Sequence, residues 1–212
     1  MKSIASIVSL LVAGCLFADS TPIMVSLVTP VQAPSARYDV TGLRLSLIYG
    51  ECQEFTGLDI GIIGNARKDF TGLSIGGLNF AGERLYGAQV GLVNWNGNGD
   101  TSWERRSVGA QVGILNYADA FCGLQTGYVN ISGESFMGLQ SSLINCAHDL
   151  YGIQTGCYLI LGVNVASGTV RGCQIGLINY ANEIERGCQI GIVNIITQNG
   201  WLPVLPIVNG HF

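Results

Sequence analysis

The sequence predicts an all-β protein: an antiparallel up-and-down β-barrel of about twelve strands, with a parallel β-solenoid as the alternative. Three observations lead there. One short unit recurs at a nearly fixed step, residues within the unit alternate between apolar and polar, and the connections between units sort into long and short by parity. The units start at Gly42, Gly57, Gly72, Gly87, Gly109, Gly123, Gly138, Gly152, Gly172 and Gly187; most steps are 14 or 15 residues and two are 22 and 20. Such a period makes each unit one structural element stacked on its neighbours.

The unit is clearest in Gly87-Ala-Gln-Val-Gly-Leu-Val-Asn94. With the first Gly as position zero, position one is apolar (Leu43, Leu58, Leu73, Leu124, Leu139). Position two is polar: Arg44, Asp59 and Ser74, then Gln89, Gln111, Gln125, Gln140, Gln154, Gln174 and Gln189. Position three is mostly β-branched, position four is Gly or Ser, and position seven is usually Asn. A period of two with β-branched residues specifies a strand, and two Gly per unit oppose a helix. Successive side chains face opposite ways. Ten polar residues in register cannot sit against hydrocarbon without partners, so the polar column is expected to face a hydrated lumen and the Leu column to face outward.

The elements follow in order. Residues 1–18 read as a secretory signal: Lys2, a short apolar run and small residues. Ordinary cleavage would follow Ala18; Val12-Ala13-Gly14-Cys15 would instead suit lipoprotein processing and acylation of Cys15. Residues 19–212 form a single repeat β-domain. A strand near Pro22–Pro30, one per unit, and a last one near Leu202–Phe212 give twelve, an even number as in bacterial outer-membrane barrels. The long connections Val31–Asp39, Trp95–Ser107, Leu161–Thr169 and Ile196–Trp201 alternate with tight ones such as Glu51–Glu54 and Ala81–Arg84, which is the barrel pattern. Aromatic residues bracket the strands: Phe55, Phe70, Phe121 and Phe136 before the unit, Phe80, Trp95, Tyr117 and Tyr180 after the Asn. They read as interfacial girdles or as covers for neighbouring glycines.

Charged residues make up 11% of the chain and gather between units, as in Arg67-Lys68-Asp69 and Glu104-Arg105-Arg106. The net charge of −4 offers no basic footprint for nucleic acid. Outer-membrane lipid is the expected partner, with a small polar solute or surface ligand as a further one. Gly72-Leu-Ser74-Ile-Gly76 matches a nucleophile elbow, but Ser74 simply occupies the polar column and no helix follows. Asn96-Gly-Asn-Gly-Asp100 lacks the carboxylates and closing Glu of a calcium loop. No phosphate-binding loop, dinucleotide fingerprint or metal triad is present, so no catalytic residue, cofactor or metal is expected. Cys173 and Cys188 occupy position one, where Leu and Ala stand elsewhere. A barrel would hold them too far apart to bond, leaving both thiols free; a parallel stack would put them in adjacent rungs about 4.8 Å apart.

The intact units at Gly87, Gly109, Gly172 and Gly187, with the Ser20-Thr-Pro opening and the closing Val208-Asn209…Phe212, resemble an uncharacterised bacterial family of surface repeat-containing proteins. The resemblance spans residues 20–212 and implies a cell-surface or outer-membrane location, and no activity. Arg44 and Asp59 depart from the family Gln, Tyr49, Gly64 and Leu159 from its Asn. The functional expectation is an exported outer-membrane or surface β-protein with a structural or passive transport role; the alternative is a surface-attached β-solenoid used for adhesion or ligand binding.

Overall fold

The structure is a computed structural model and describes residues 20–97, 106–156 and 161–212. The signal segment with Cys15, most of the Asn96–Asp100 and Glu104–Arg106 stretches, Cys157 and Leu159 lie outside the described residues.

Among the described residues every regular element is a strand: β1 (Ser20–Val28), β2 (Val31–Ala33), β3 (Asp39–Cys52), β4 (Phe55–Ala66), β5 (Phe70–Ala81), β6 (Leu85–Val90), β7 (Val93–Asn96), β8 (Ser107–Ser142), β9 (Ile144–Gly156), β10 (Val163–Ile175), β11 (Ile178–Gln198) and β12 (Val204–His211). The repeat units pair in parallel and in register. Gly57, Leu58 and Asp59 lie opposite Gly72, Leu73 and Ser74, and Gln89 lies opposite Gln111. The protein is therefore a parallel β-solenoid, and the barrel expectation is overturned.

The two readings diverge at one bend. The chain turns near positions four and five of the unit, visible as the breaks at Gly91–Leu92 and Gly176–Leu177. The bend shifts the alternation by one. In β5, Phe70, Ser74, Asn79 and Ala81 are buried while Leu73 and Ile75 are exposed. Even position two and odd position seven thus share the interior. Each unit, expected as a single barrel strand, is instead two short walls of a flattened coil.

The parity of the connections also has another cause. Val31–Asp39 carries β2, which turns back antiparallel on β1. Between the end of β7 at Asn96 and the start of β8 at Ser107 most residues lie outside the described ones. Much of Leu161–Thr169 is strand, since Val163 pairs with Ile144 and Asn164 with Asn145. Ile196–Trp201 reverses the chain so that β12 runs antiparallel on β11, Gln189 opposite Asn209. These reversals close the two ends, which every solenoid must protect from further strand pairing.

The apolar interior is lean. One column holds Phe55, Phe70, Leu85, Phe121, Phe136, Leu150, Val170 and Ile184; the facing column holds Ala66, Ala81, Ala118, Ala147, Ala166 and Ala181. Large residues on one wall meet small ones on the other, which lets the walls approach closely. The Phe rings stack along the axis, Phe55 on Phe70 at 5.0 Å and Phe121 on Phe136 at 6.1 Å between centroids. The leading Phe residues are core and not a membrane girdle.

Candidate functional site

The polar column is fully buried and forms a ladder of side-chain amides. Each Gln Nε2 donates to the Oε1 of the preceding rung: Gln111 to Gln89 at 3.0 Å, Gln125 to Gln111 at 2.7 Å, Gln140 to Gln125 at 2.7 Å, Gln154 to Gln140 at 2.8 Å, Gln174 to Gln154 at 2.8 Å, and Gln189 to Gln174 at 2.7 Å. The second amide proton reaches across the coil to the far wall, as in Gln111 to Tyr117 O at 3.2 Å. The expected lumen lining is thus a closed hydrogen-bonded core. Asn79, Asn94, Asn116, Asn130, Asn145, Asn164, Asn179 and Asn194 form a second ladder in which each Nδ2 donates to the following rung, for example Asn79 to Asn94 and Asn94 to Asn116, both 2.8 Å. The two ladders run in opposite senses, so their amide dipoles oppose each other. The ends of the Gln ladder have no further amide rung, and among the described residues Gln89 Nε2 and Gln189 Oε1 are the buried side-chain amide atoms without a partner.

The first two rungs replace amides with charge. Arg44 and Asp59 are fully buried and joined by two bonds of 2.7 and 2.8 Å. The guanidinium also donates to Asn65 O at 2.8 Å and contacts Cys52 Sγ at 3.1 Å, and it lies over the Phe55 ring at 4.9 Å. Burial pulls the Arg44 pKa down, but Asp59 more than offsets this and holds the guanidinium above its ordinary value. Burial pushes the Cys52 thiol up to about 11, against the pull of Arg44. Ser74 Oγ lies 2.9 Å from Asp59 Oδ2 and 2.8 Å from Asn79 Oδ1, joining the ion pair to the Asn ladder. The elbow-like Ser74 is sealed inside the coil and serves this junction.

The departures from the repeat are explained by this cluster. A Cβ on Gly64 would stand 2.2 Å from Asp59 Oδ2 and 2.9 Å from Arg44 Nη2. The larger charged side chains fill the space that Asn takes elsewhere, so Gly replaces it. Tyr49 does not occupy the Asn column, because the register shifts after Ser46 and Gly50 pairs with Gly64. The Asn missing at Leu159 is supplied by Asn164, which bonds to Asn145 and Asn179 at 2.9 and 2.7 Å. Val163-Asn-Val165 was the available signal: it repeats the apolar-Asn-apolar pattern of Val93-Asn-Trp95.

With the amides turned inward, the outer surface carries the aliphatic columns. Positions one, three and five expose Leu58, Ile60 and Ile62, then Leu73 and Ile75, then Val90 and Leu92, then Val112 and Ile114. Leu47 and Ile192, at either end of column five, are each 67% exposed. Over ten rungs this strip is about 43 Å long and about 13 Å wide at ~4.8 Å per rung and ~3.3 Å per residue. Its area is comparable to the largest patch on a typical monomer, roughly 300–600 Å². The strip is most apolar toward the N-terminus; Thr126 and Ser141 interrupt column three further on.

Charges line the turns beside this strip and link successive rungs. Arg67 pairs with Glu51 at 2.5 Å and Lys68 with Glu54 at 3.4 Å, and Arg84 pairs with Asp69 and Arg171 with Glu185. Their hydrogen-bonded carboxylates hold Arg67, Arg84 and Arg171 above the ordinary guanidinium range. On the second wall Tyr49, Asn65, Phe80 and Trp95 line a shallow groove of about 320 Å³, and Trp95 stacks on Tyr117 at 3.9 Å.

Among the described residues no group of three His, Cys, Asp or Glu side chains could hold a metal ion. His148 on β9 contacts Ser167 Oγ on β10 at 2.9 Å, remote in sequence from Ser74. No family model, curated protein or solved structure matches this chain.

Proposed function

We propose that this protein is an exported, surface-attached β-solenoid that acts by adhesion and not by catalysis, binding through its outer aliphatic strip. The observation that carries this reading is the inversion of the surface. The amide and charged side chains of the strand centres are spent on internal ladders, while the exposed columns are Leu, Ile and Val. An apolar strip bounded by charged turns matches a lipid surface: aliphatic side chains enter the acyl boundary and the turn charges stay among the head groups. The secretory reading of residues 1–18 and the surface-protein resemblance support the location.

The test is flotation of the full mature chain with phospholipid vesicles. The expected result is co-flotation of the wild type and loss of it in Leu58→Asp/Ile60→Asp/Ile75→Asp, with an unchanged β-sheet circular dichroism spectrum. A wild type that stays unbound while sedimenting as a dimer would assign the strip to a second copy of the chain and overturn the lipid reading.

A further inference from the structure

The parallel register brings together two thiols that lie 15 residues apart in sequence. Cys173 and Cys188 are Cα partners on β10 and β11. Their Sγ atoms stand 3.2 Å apart, on the outer strip and partly open to solvent. Their rungs are held in register directly beneath by the Gln174–Gln189 bond of 2.7 Å. In-register parallel rungs put Cα atoms about 4.8 Å apart, inside the range of roughly 4.4–6.8 Å that a disulfide needs. On the far side of Cys188 stands Gly210 of β12; a Cβ there would come within 3.3 Å of the Cys188 Cβ. The absence of a side chain at Gly210 keeps that flank of Cys188 uncovered. Cys146, by contrast, pairs with Ile131 and Val165, and Cys52 is buried against Arg44.

We propose that Cys173 and Cys188 form a dithiol modification site that closes to an inter-rung disulfide by exchange with a small-molecule disulfide. One thiolate of the pair attacks a sulfur of the small disulfide and expels one small thiolate, leaving a mixed disulfide. The second thiolate then attacks the protein sulfur of that bond, forms the Cys173–Cys188 bond and expels the other small thiolate. The pair gives up two electrons and two protons, which end on two small thiol molecules. The bond fastens the last two repeat rungs beside the end of the amide ladder, where Gln189 Oε1 has no partner. Burial and the hydrogen bond with Cys173 push the Cys188 thiol up to about 11, so exchange accelerates as the pH rises toward that value.

The experiment is incubation of the reduced, folded full chain with oxidised glutathione at mildly alkaline pH, followed by acid quenching, intact mass measurement and peptide mapping. The expected product is a Cys173–Cys188 linked peptide, with loss of two hydrogens and no glutathione retained at this pair. In Cys188→Ser the expected product is a stable glutathione adduct on Cys173, because the resolving thiol is gone. Glutathione on both cysteines of the wild type, or a pair that stays reduced, would overturn the proposal. So would a Cys173 or Cys188 linkage between two chains.

Discussion

At the scale of the residue, the core depends on amides whose value comes from continuity. Removing one leaves its neighbours unpaired in a buried place, and an unsatisfied buried polar group costs about 1–3 kcal/mol. Gln125→Ala strands Gln111 Oε1 and Gln140 Nε2, so a loss of roughly 2–6 kcal/mol is expected in urea unfolding. Gln89→Ala, at a ladder end whose Nε2 is already unpaired, should cost clearly less. Equal losses at the two positions would show that the ladder is not a connected network. The same logic applies to the ion pair. Asp59→Asn leaves Arg44 buried and uncompensated and should cost about 3–5 kcal/mol. Arg44→Gln/Asp59→Gln, which continues the amide column, should be milder than either single change. A double variant as unstable as the worse single one would contradict this.

Cys52 gives the cluster a pH dependence. Its thiol rises from an ordinary value of 9.0 to about 11 in the fold, first through burial. A pKa raised on folding stabilises the fold fully below the unfolded value, and that contribution is lost as the pH climbs through the folded one. Thermal stability should therefore fall between pH 9 and 11, and Cys52→Ala should flatten that decline. An identical decline in the variant would place the alkaline sensitivity elsewhere.

At the scale of the element, each rung is set by its first glycine. Gly109 has φ of +148°, and a Cβ there would stand 1.7 Å from Gly87 O. The backbone costs about 1–3 kcal/mol in this region for any other residue, and the clash adds to it. Gly109→Ala should abolish cooperative unfolding or lower the midpoint sharply, whereas Ala at the exposed Leu139 should be nearly neutral. The strands, their period and the outward Leu column were legible in the sequence, because alternation is local. The shared interior of Gln and Asn was not. It depends on the bend near positions four and five, which shifts the alternation, and a Gly-Leu pair does not announce that shift. The charged rungs were legible as members of the polar column, but the reason for Gly64 was not: it stands where Asn is expected because Arg44 and Asp59 fill its place.

At the scale of the whole molecule, identical side chains at identical offsets are what a parallel stack requires, since each amide then meets its own kind about 4.8 Å away. The sequence held this information in its columns, but the connection lengths pointed elsewhere. Those lengths arise from two capping reversals, a longer sequence segment between β7 and β8 and an insertion before Asn164, each a separate local event. The most direct test is the distance between equivalent positions in neighbouring rungs. Nitroxide labels at Leu124→Cys and Leu139→Cys sit on the exposed strip, in a background whose other accessible thiols are serine. The solenoid predicts strong dipolar broadening of the room-temperature spectrum from labels one rung apart, about 4.8 Å at the backbone. An unbroadened spectrum, with the labels at opposite ends of antiparallel strands, would contradict the parallel stack.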